Sequence, residues 1–233
     1  MKKTTVVLVH GAFADGGSWG DVIPLLEKEG YEVIAVQNPL TSYADDVATT
    51  RRVVDAQESV VLVGHSYGGA VITGAGAGAA NVRALVYVAA FAPDAGDNLQ
   101  ALLGKYPSKI GTALVPDAAG FLYIDRSKFE EVFAADVPDR TRSIMNASQK
   151  PVHSSTFAQQ YEVAAWKEIP SWYLVATEDQ AINPELQRMF AQRMNATTDE
   201  VTSSHVPFAS QPEAVVTIIK KAAEASQERA AAG

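Results

Sequence analysis

The chain has 233 residues, 47% of them apolar and 20% charged, enough for one large core, and a single α/β domain over 1–233 is expected. It has no cysteine, which excludes disulfides and thiolate metal sites, and its net charge of -8 comes with no basic cluster longer than a pair, which argues against a nucleic-acid partner. No run approaches the ~20 apolar residues of a membrane span, and the stretch Val6 to Val9 behind Met1-Lys2-Lys3-Thr4 is too short for a signal-peptide core, so a soluble, cytoplasmic protein is expected.

Thr4 to Val9 reads as a first strand running into the loop His10-Gly11-Ala12-Phe13-Ala14-Asp15-Gly16-Gly17. A loop so rich in small residues lets backbone N–H groups approach a ligand, which makes the Ala12 amide a candidate donor to a developing oxyanion. Read alone, the same glycines need do no more than turn the chain. Ser18 is expected to cap a helix from Trp19 to Lys28 that buries Val22, Leu25 and Leu26 and ends at Gly30. Tyr31 to Val36 is a second strand, and a helix from Ala44 to Ala56, with Ser42 as its cap, follows Asn38-Pro39.

Val60 to Val63 has the β-branched and aliphatic composition of a strand buried on both faces, and it turns through Gly64-His65-Ser66-Tyr67-Gly68 into small, helix-compatible residues. A serine between a buried strand and a helix needs a very tight bend, and glycines two before and two after it remove the Cβ atoms that would clash there. The bend holds the hydroxyl at the carboxyl end of the sheet, beside the unpaired N–H groups of the helix. A phosphate cradle is the rival reading, but no Lys-Ser or Lys-Thr pair follows Gly68 and no G-x-G-x-x-G follows the strand. Ser66 is the candidate nucleophile. The glycines of the next helix, Gly69, Gly74, Gly76 and Gly78, read as packing positions.

Ala84 to Ala89 is another apolar strand, and strands separated by helices without hairpin turns argue for a parallel sheet covered on both faces. The alternation stops at Pro93. Residues 94–170 carry no strand of the same type, with helical patterns near Ser127 to Ala135 and Thr156 to Trp166, and are expected to form a cap over the serine. Phe121, Tyr123, Phe129, Phe133, Phe157, Tyr161 and Trp166 either line a pocket or hold the cap together; Phe13, Phe121, Tyr123 and Trp166 are assigned to the substrate. Trp172 to Ala176 resumes the sheet and leads into Thr177-Glu178-Asp179, followed by a helix from Pro184 to Met194. A short strand at Asp199 to Thr202 precedes Ser203-Ser204-His205 and a final helix from Pro212 to Ala225, and the tail Glu228 to Gly233 has nothing to bury.

A serine hydroxyl needs a base in hydrogen-bond reach and a group to orient that base. His10 and His65 lie in the two turns, where bracing loop backbone is their expected role, and His153 falls in the cap as a surface or pocket-wall residue. His205 alone follows a strand end downstream of a candidate acid, giving the chain order serine, acid, histidine. Glu178 and Asp179 leave their strand in opposite directions, so only one can face His205, and spacing leaves both open.

The segments VVLVHGAFADGGSW (Val6 to Trp19), VVLVGHSYGGAVI (Val60 to Ile72), VYVAAFAPD (Val86 to Asp94), ATEDQAINPELQ (Ala176 to Gln187) and SHVPFASQPEAV (Ser204 to Val215) carry a resemblance to the α/β-hydrolase superfamily. Within it the chain is similar to small bacterial esterase-like hydrolases and to the plant methyl-ester hydrolase and hydroxynitrile lyase group. The resemblance implies an α/β-hydrolase fold with a six-stranded, mainly parallel sheet, and a serine esterase without metal or organic cofactor. By the same resemblance Asp179, a few residues before Pro184, is the acid, and Ala12 and Tyr67 are the oxyanion donors. The implied substrate is a small carboxylic ester with apolar or aromatic groups, cleaved through an acyl-enzyme on Ser66. Hydroxynitrile lyases of this group resemble one another in a threonine after the first histidine and a lysine beside the catalytic one, where this chain has Gly11 and Val206. Cofactor-free haloperoxidase activity and a non-catalytic binding module are the further alternatives.

Overall fold

The computed structural model describes residues 4–232; the expectations on Met1 to Lys3 and on Gly233 lie outside the described residues. In chain order the first half contains β1 (Thr5–Val9), α1 (Ile23–Lys28), β2 (Glu32–Val36), α2 (Tyr43–Asp55), β3 (Val60–His65), α3 (Tyr67–Ala75) and β4 (Val82–Val88). Next come α4 (Leu99–Lys105), β5 (Leu114–Pro116), β6 (Phe121–Ile124), α5 (Phe129–Val132), α6 (Asp139–Ala147), β7 (Val152–His153) and α7 (Ser155–Ala158). The chain closes with β8 (Ser171–Ala176), α8 (Pro184–Arg193), β9 (Thr197–Val201), α9 (Pro207–Ser210) and α10 (Pro212–Ala232).

Every residue of β1, β3 and β8 is buried, as sequences such as TVVLV and VVLVGH require when apolar side chains leave both faces of a strand. These strands lie in one six-stranded sheet of order β2-β1-β3-β4-β8-β9, parallel throughout. The chain moves outward from β1 to β2 and then returns to the other side of β1 as β3. Loops leaving the carboxyl ends of β1 and β3 therefore diverge, and a crevice opens between them at that edge of the sheet. The loops after β8 and β9 emerge at the same edge.

Several boundaries differ from the sequence reading. The helix expected from Trp19 is a separate 3-10 turn, Gly16–Trp19, capped by Asp15, and α1 begins only at Ile23. Pro24 is the reason: without an N–H and with a ring that crowds the preceding turn, it fits only at a helix start. Ser42 does cap α2, accepting the Asp45 N–H at 3.1 Å. The final helix runs on past Ala225 to Ala232, and the Arg229 guanidinium lies 5.6 Å from the centre of the Trp172 ring, so the tail does have a partner. Between β4 and β8 the chain adds a second sheet, β5-β6-β7, antiparallel, with α4 and α6 beside it. Of the two helical patterns read there, one is the single turn α5; the other breaks into α7 and a 3-10 turn at Ala165–Lys167.

Candidate active site

The bend after β3 is built as its glycines require. Ser66 has φ 53 and ψ -125, a conformation strained for any residue with a side chain, and α3 starts at the next residue. A Cβ on Gly68 would stand 2.5 Å from the Val9 carbonyl oxygen, so only glycine lets α3 close against the end of β1. The Ser66 backbone is clamped to the end of β4, its N–H donating to the Val88 carbonyl (3.3 Å) and its carbonyl accepting the Phe91 N–H (3.0 Å).

His205 Nε2 lies 2.8 Å from Ser66 Oγ, and His205 Nδ1 lies 2.7 Å from Asp179 Oδ2. Ser66, His205 and Asp179 are 6%, 1% and 2% exposed. Asp179 Oδ1 accepts the N–H groups of Ala181 (2.7 Å) and Ile182 (2.9 Å), and Oδ2 also accepts the Gln187 side-chain amide (2.8 Å). With donors on every other side, the carboxylate takes the Nδ1 proton of His205 as its fourth, which leaves Nε2 as an acceptor for the Ser66 hydroxyl. Glu178 is exposed, and its backbone N–H is bound to the Ser203 carbonyl (3.1 Å); the turn aims Asp179, not Glu178, at His205.

The other histidines are braces. His10 Nε2 accepts the Asn38 N–H (3.0 Å), so its Nδ1–H donates to the Gly11 carbonyl (2.8 Å); burial pushes it down to about 4. His65 donates from Nε2 to the His205 carbonyl (2.8 Å), tying the serine turn to the loop that carries His205, and its burial holds its pKa well below the usual imidazole range. His153 Nδ1 pairs with the Ser155 hydroxyl at 2.7 Å.

The loop after β1 faces Ser66. Phe13 has φ 63 and its N–H is committed to the Lys150 carbonyl (3.1 Å), while Ala12 lines the same cavity as Ser66. Tyr67 is the first residue of α3, where backbone N–H groups have no intrahelical acceptor. Its side chain points away into the core and donates to Asp46 Oδ2 at 2.8 Å, while Asp46 Oδ1 accepts the Leu40 N–H at 2.8 Å. Burial pushes Asp46 up to about 6.

Ser66, His205, Ala12 and Phe13 open onto a cavity of about 670 Å³. Most of its wall comes from the segment between β4 and β8: Phe91, Leu103, Ile110, Leu114, Leu122, Phe133 and Phe157, with Gln100, Ser154 and Ser155 as polar members. No Asp, Glu, Lys or Arg is among the lining residues. Three residues assigned to the substrate from sequence do not line it. Along β6 the side chains alternate, so Leu122 faces the cavity while Phe121 and Tyr123 face the other way. Phe121 packs edge-on against His153 (5.2 Å), and Tyr123 is 37% exposed on the outer side. Trp166 is buried elsewhere, donating from Nε1 to the Pro93 carbonyl (2.9 Å) with Lys167 and Arg193 each 5.5 Å from its ring centre.

Two polar residues escaped the sequence reading. Gln187 is fully buried beneath Asp179, and Asp136 accepts both the backbone N–H (2.9 Å) and the hydroxyl of Ser204, the residue before His205. Gln187 had a signal: it shares the buried stripe of α8 with Leu186 and Phe190, where a polar side chain must find partners.

The chain is similar to known proteins. Pyrethroid hydrolase of Sphingobium wenxiniae is 29% identical over 98% of this chain and 90% of its own, and methylesterase 1 of Arabidopsis thaliana is 26% identical over 91% and 93%. The crystal structure of a pyrethroid hydrolase from Sphingobium faniae superposes with a TM-score of 0.82 at 23% identity, covering 97% of this chain and all of that one, a likeness of fold. Residues 6–218 match the alpha/beta hydrolase family, and the chain belongs to it.

Proposed function

We propose that the protein is a carboxylic ester hydrolase working through an acyl-enzyme on Ser66, with residues 94–170 as a cap over a pocket for small uncharged esters bearing apolar or aromatic groups. The observation that carries this reading is the unbroken hydrogen-bond run from Ser66 through His205 to Asp179, opening onto a cavity without a charged lining residue. The ester-hydrolysing relatives support the same reaction class. A cavity of about 670 Å³ suits a ligand of drug-like size, and its walls favour an uncharged one, because a charge would lose its water without gaining a partner.

As Ser66 Oγ bonds to the ester carbonyl carbon, its proton passes to His205 Nε2, and the imidazolium that forms is stabilised through Nδ1 by Asp179. The carbonyl oxygen becomes an anion and accepts from the Ala12 and Tyr67 N–H groups, an effect of about 3 kcal/mol per donor in comparable sites. Collapse expels the alcohol, which takes the proton from His205. Water then attacks the acyl-enzyme by the same proton route, releasing the acid and restoring Ser66.

Hydrolysis is favoured over cyanohydrin cleavage by Gly11. A Cβ at that position would stand 2.6 Å from Ser66 Cβ, leaving no room for the threonine found there in the similar lyases. The test is hydrolysis of a p-nitrophenyl short-chain ester by the wild type and Ser66→Ala, with mass analysis after treatment with a serine-directed phosphonate. Serine-dependent turnover and an adduct on Ser66 are expected. Turnover that survives Ser66→Ala, or cyanide release from mandelonitrile in place of ester cleavage, would overturn the reading.

A further inference from the structure

Asp179 has a side-chain partner outside the run from Ser66 to His205. Gln187 lies on the buried stripe of α8, fully shielded from water, and its side-chain amide makes three hydrogen bonds. Its Oε1 accepts the N–H of Ala176, the last residue of β8 (3.0 Å). Its Nε2 donates to the Ile182 carbonyl (2.9 Å) and to Asp179 Oδ2 (2.8 Å). The Ala176 N–H can only donate and the Ile182 carbonyl can only accept, so the orientation of the amide is fixed and an N–H must face Asp179.

We infer that Gln187 is a positioning residue for the reaction, holding the Asp179 oxygen that orients His205. The inference rests on the proposed roles of Ser66, His205 and Asp179. Asp179 Oδ1 is fixed by two backbone N–H groups of its own turn, whereas Oδ2, the oxygen that receives His205 Nδ1–H, has Gln187 as its other donor. Gln187 bonds the end of β8 and the turn after it with the same amide, so it sets where Oδ2 sits relative to the sheet. Without that donor Oδ2 keeps only His205 as a partner, and a carboxylate held less firmly opposite Nδ1 selects less strongly the His205 tautomer that accepts from Ser66. A residue acting this way affects the chemical step and leaves substrate contact alone, since Gln187 is not among the cavity-lining residues.

Two substitutions separate positioning from mere support. Gln187→Met keeps the volume and removes the N–H; Gln187→Glu keeps the shape, and beside Asp179 it can donate only while protonated, because two carboxyl groups at hydrogen-bond distance share a proton. Rates of p-nitrophenyl ester hydrolysis are measured from pH 5 to pH 9 and divided by active sites titrated with phosphonate, so unfolded protein is not counted. Gln187→Met is expected to lower kcat about tenfold or more at every pH, with KM within about twofold. Relative to wild type at the same pH, Gln187→Glu is expected to retain most of its kcat at low pH and to lose it as pH rises, whereas loss of mere support would give a ratio that does not change with pH. A kcat per active site within twofold of wild type for Gln187→Met, or a Gln187→Glu profile that superposes on the wild type, overturns the inference. Wild-type activity that persists in Ser66→Ala instead overturns the reading of the site on which it rests.

Discussion

At the carboxyl edge of the sheet the groups around Ser66 are polar, buried and bonded to one another, and Asp179 is held in addition by two backbone N–H groups. In the segment between β4 and β8 most side chains that face the same cavity are aliphatic or aromatic and meet it by contact alone, with Gln100, Ser154 and Ser155 as the polar exceptions. The first region has bond directions to satisfy, so small changes there are costly; the second has volume to fill, and can be reshaped more cheaply. On the proposed reading, the sheet edge supplies the chemistry and the overhanging segment sets which esters reach it.

Substitutions at the sheet edge test that division most severely. Ser66→Ala and His205→Ala are expected to lower kcat for a p-nitrophenyl ester by about 10³-fold or more, and Asp179→Asn to approach that loss, while Glu178→Gln stays near wild type. A larger loss in Glu178→Gln than in Asp179→Asn would reverse the assignment of the acid.

Acid should unfold the protein through the same edge. His10 is held at about 4 against 6.5 when unfolded, so the folded state refuses a proton the unfolded chain takes up, and stability present above pH 6.5 is lost as pH falls toward 4. His65, also depressed by burial, acts with the same sign. Asp46, raised by burial from 3.8 to about 6, acts oppositely: it costs stability above pH 6 and returns some of it on acidification. Between pH 7 and pH 5 the His10 contribution is about 2 kcal/mol, and the loss in urea-denaturation free energy over that range should shrink by about that much in His10→Gln.

The wall is predicted to respond by size and side. Leu122→Trp should raise KM for a bulky aromatic ester by about tenfold and change p-nitrophenyl acetate hydrolysis much less, whereas Tyr123→Ala, on the opposite face of the same strand, should leave both within about twofold. If Tyr123→Ala were the more disruptive, the alternation along β6 would not govern the pocket. The smallest effect is expected at Gly104, in α4, where a Cβ would meet no atom within 4 Å. Gly104→Ala should stabilise the fold by about 0.5–1 kcal/mol, read from the denaturation midpoint.

The two regions also differed in how much of them could be read in advance. The strands of the main sheet were legible because Val60 to Val63 or Trp172 to Ala176 are continuous apolar runs between turn residues, and the serine bend because its glycines are obligatory. β5, β6 and β7 have three, four and two residues, too short for a period to emerge, and one residue of phase on β6 decides whether Leu122 or its aromatic neighbours face the cavity. Aromatic residues drew attention there by size, yet burying a large ring in a short, half-exposed element is as much a matter of support as of recognition. The choice of Asp179 over Glu178 depended on a turn whose hydrogen bonds no spacing rule specifies.

Lys150 joins the segment between β4 and β8 to the loops after β1 and β2, its carbonyl accepting the Phe13 N–H and its ammonium donating to the Asn38 carbonyl, and Asp136 of the same segment holds Ser204. A chimera in which this segment is exchanged for that of another hydrolase would therefore lose more than its selectivity. Unless the graft keeps a backbone carbonyl against the Phe13 N–H and an aspartate against Ser204, the loops carrying Ala12 and His205 would be left without these supports, and turnover would fall even for the smallest esters.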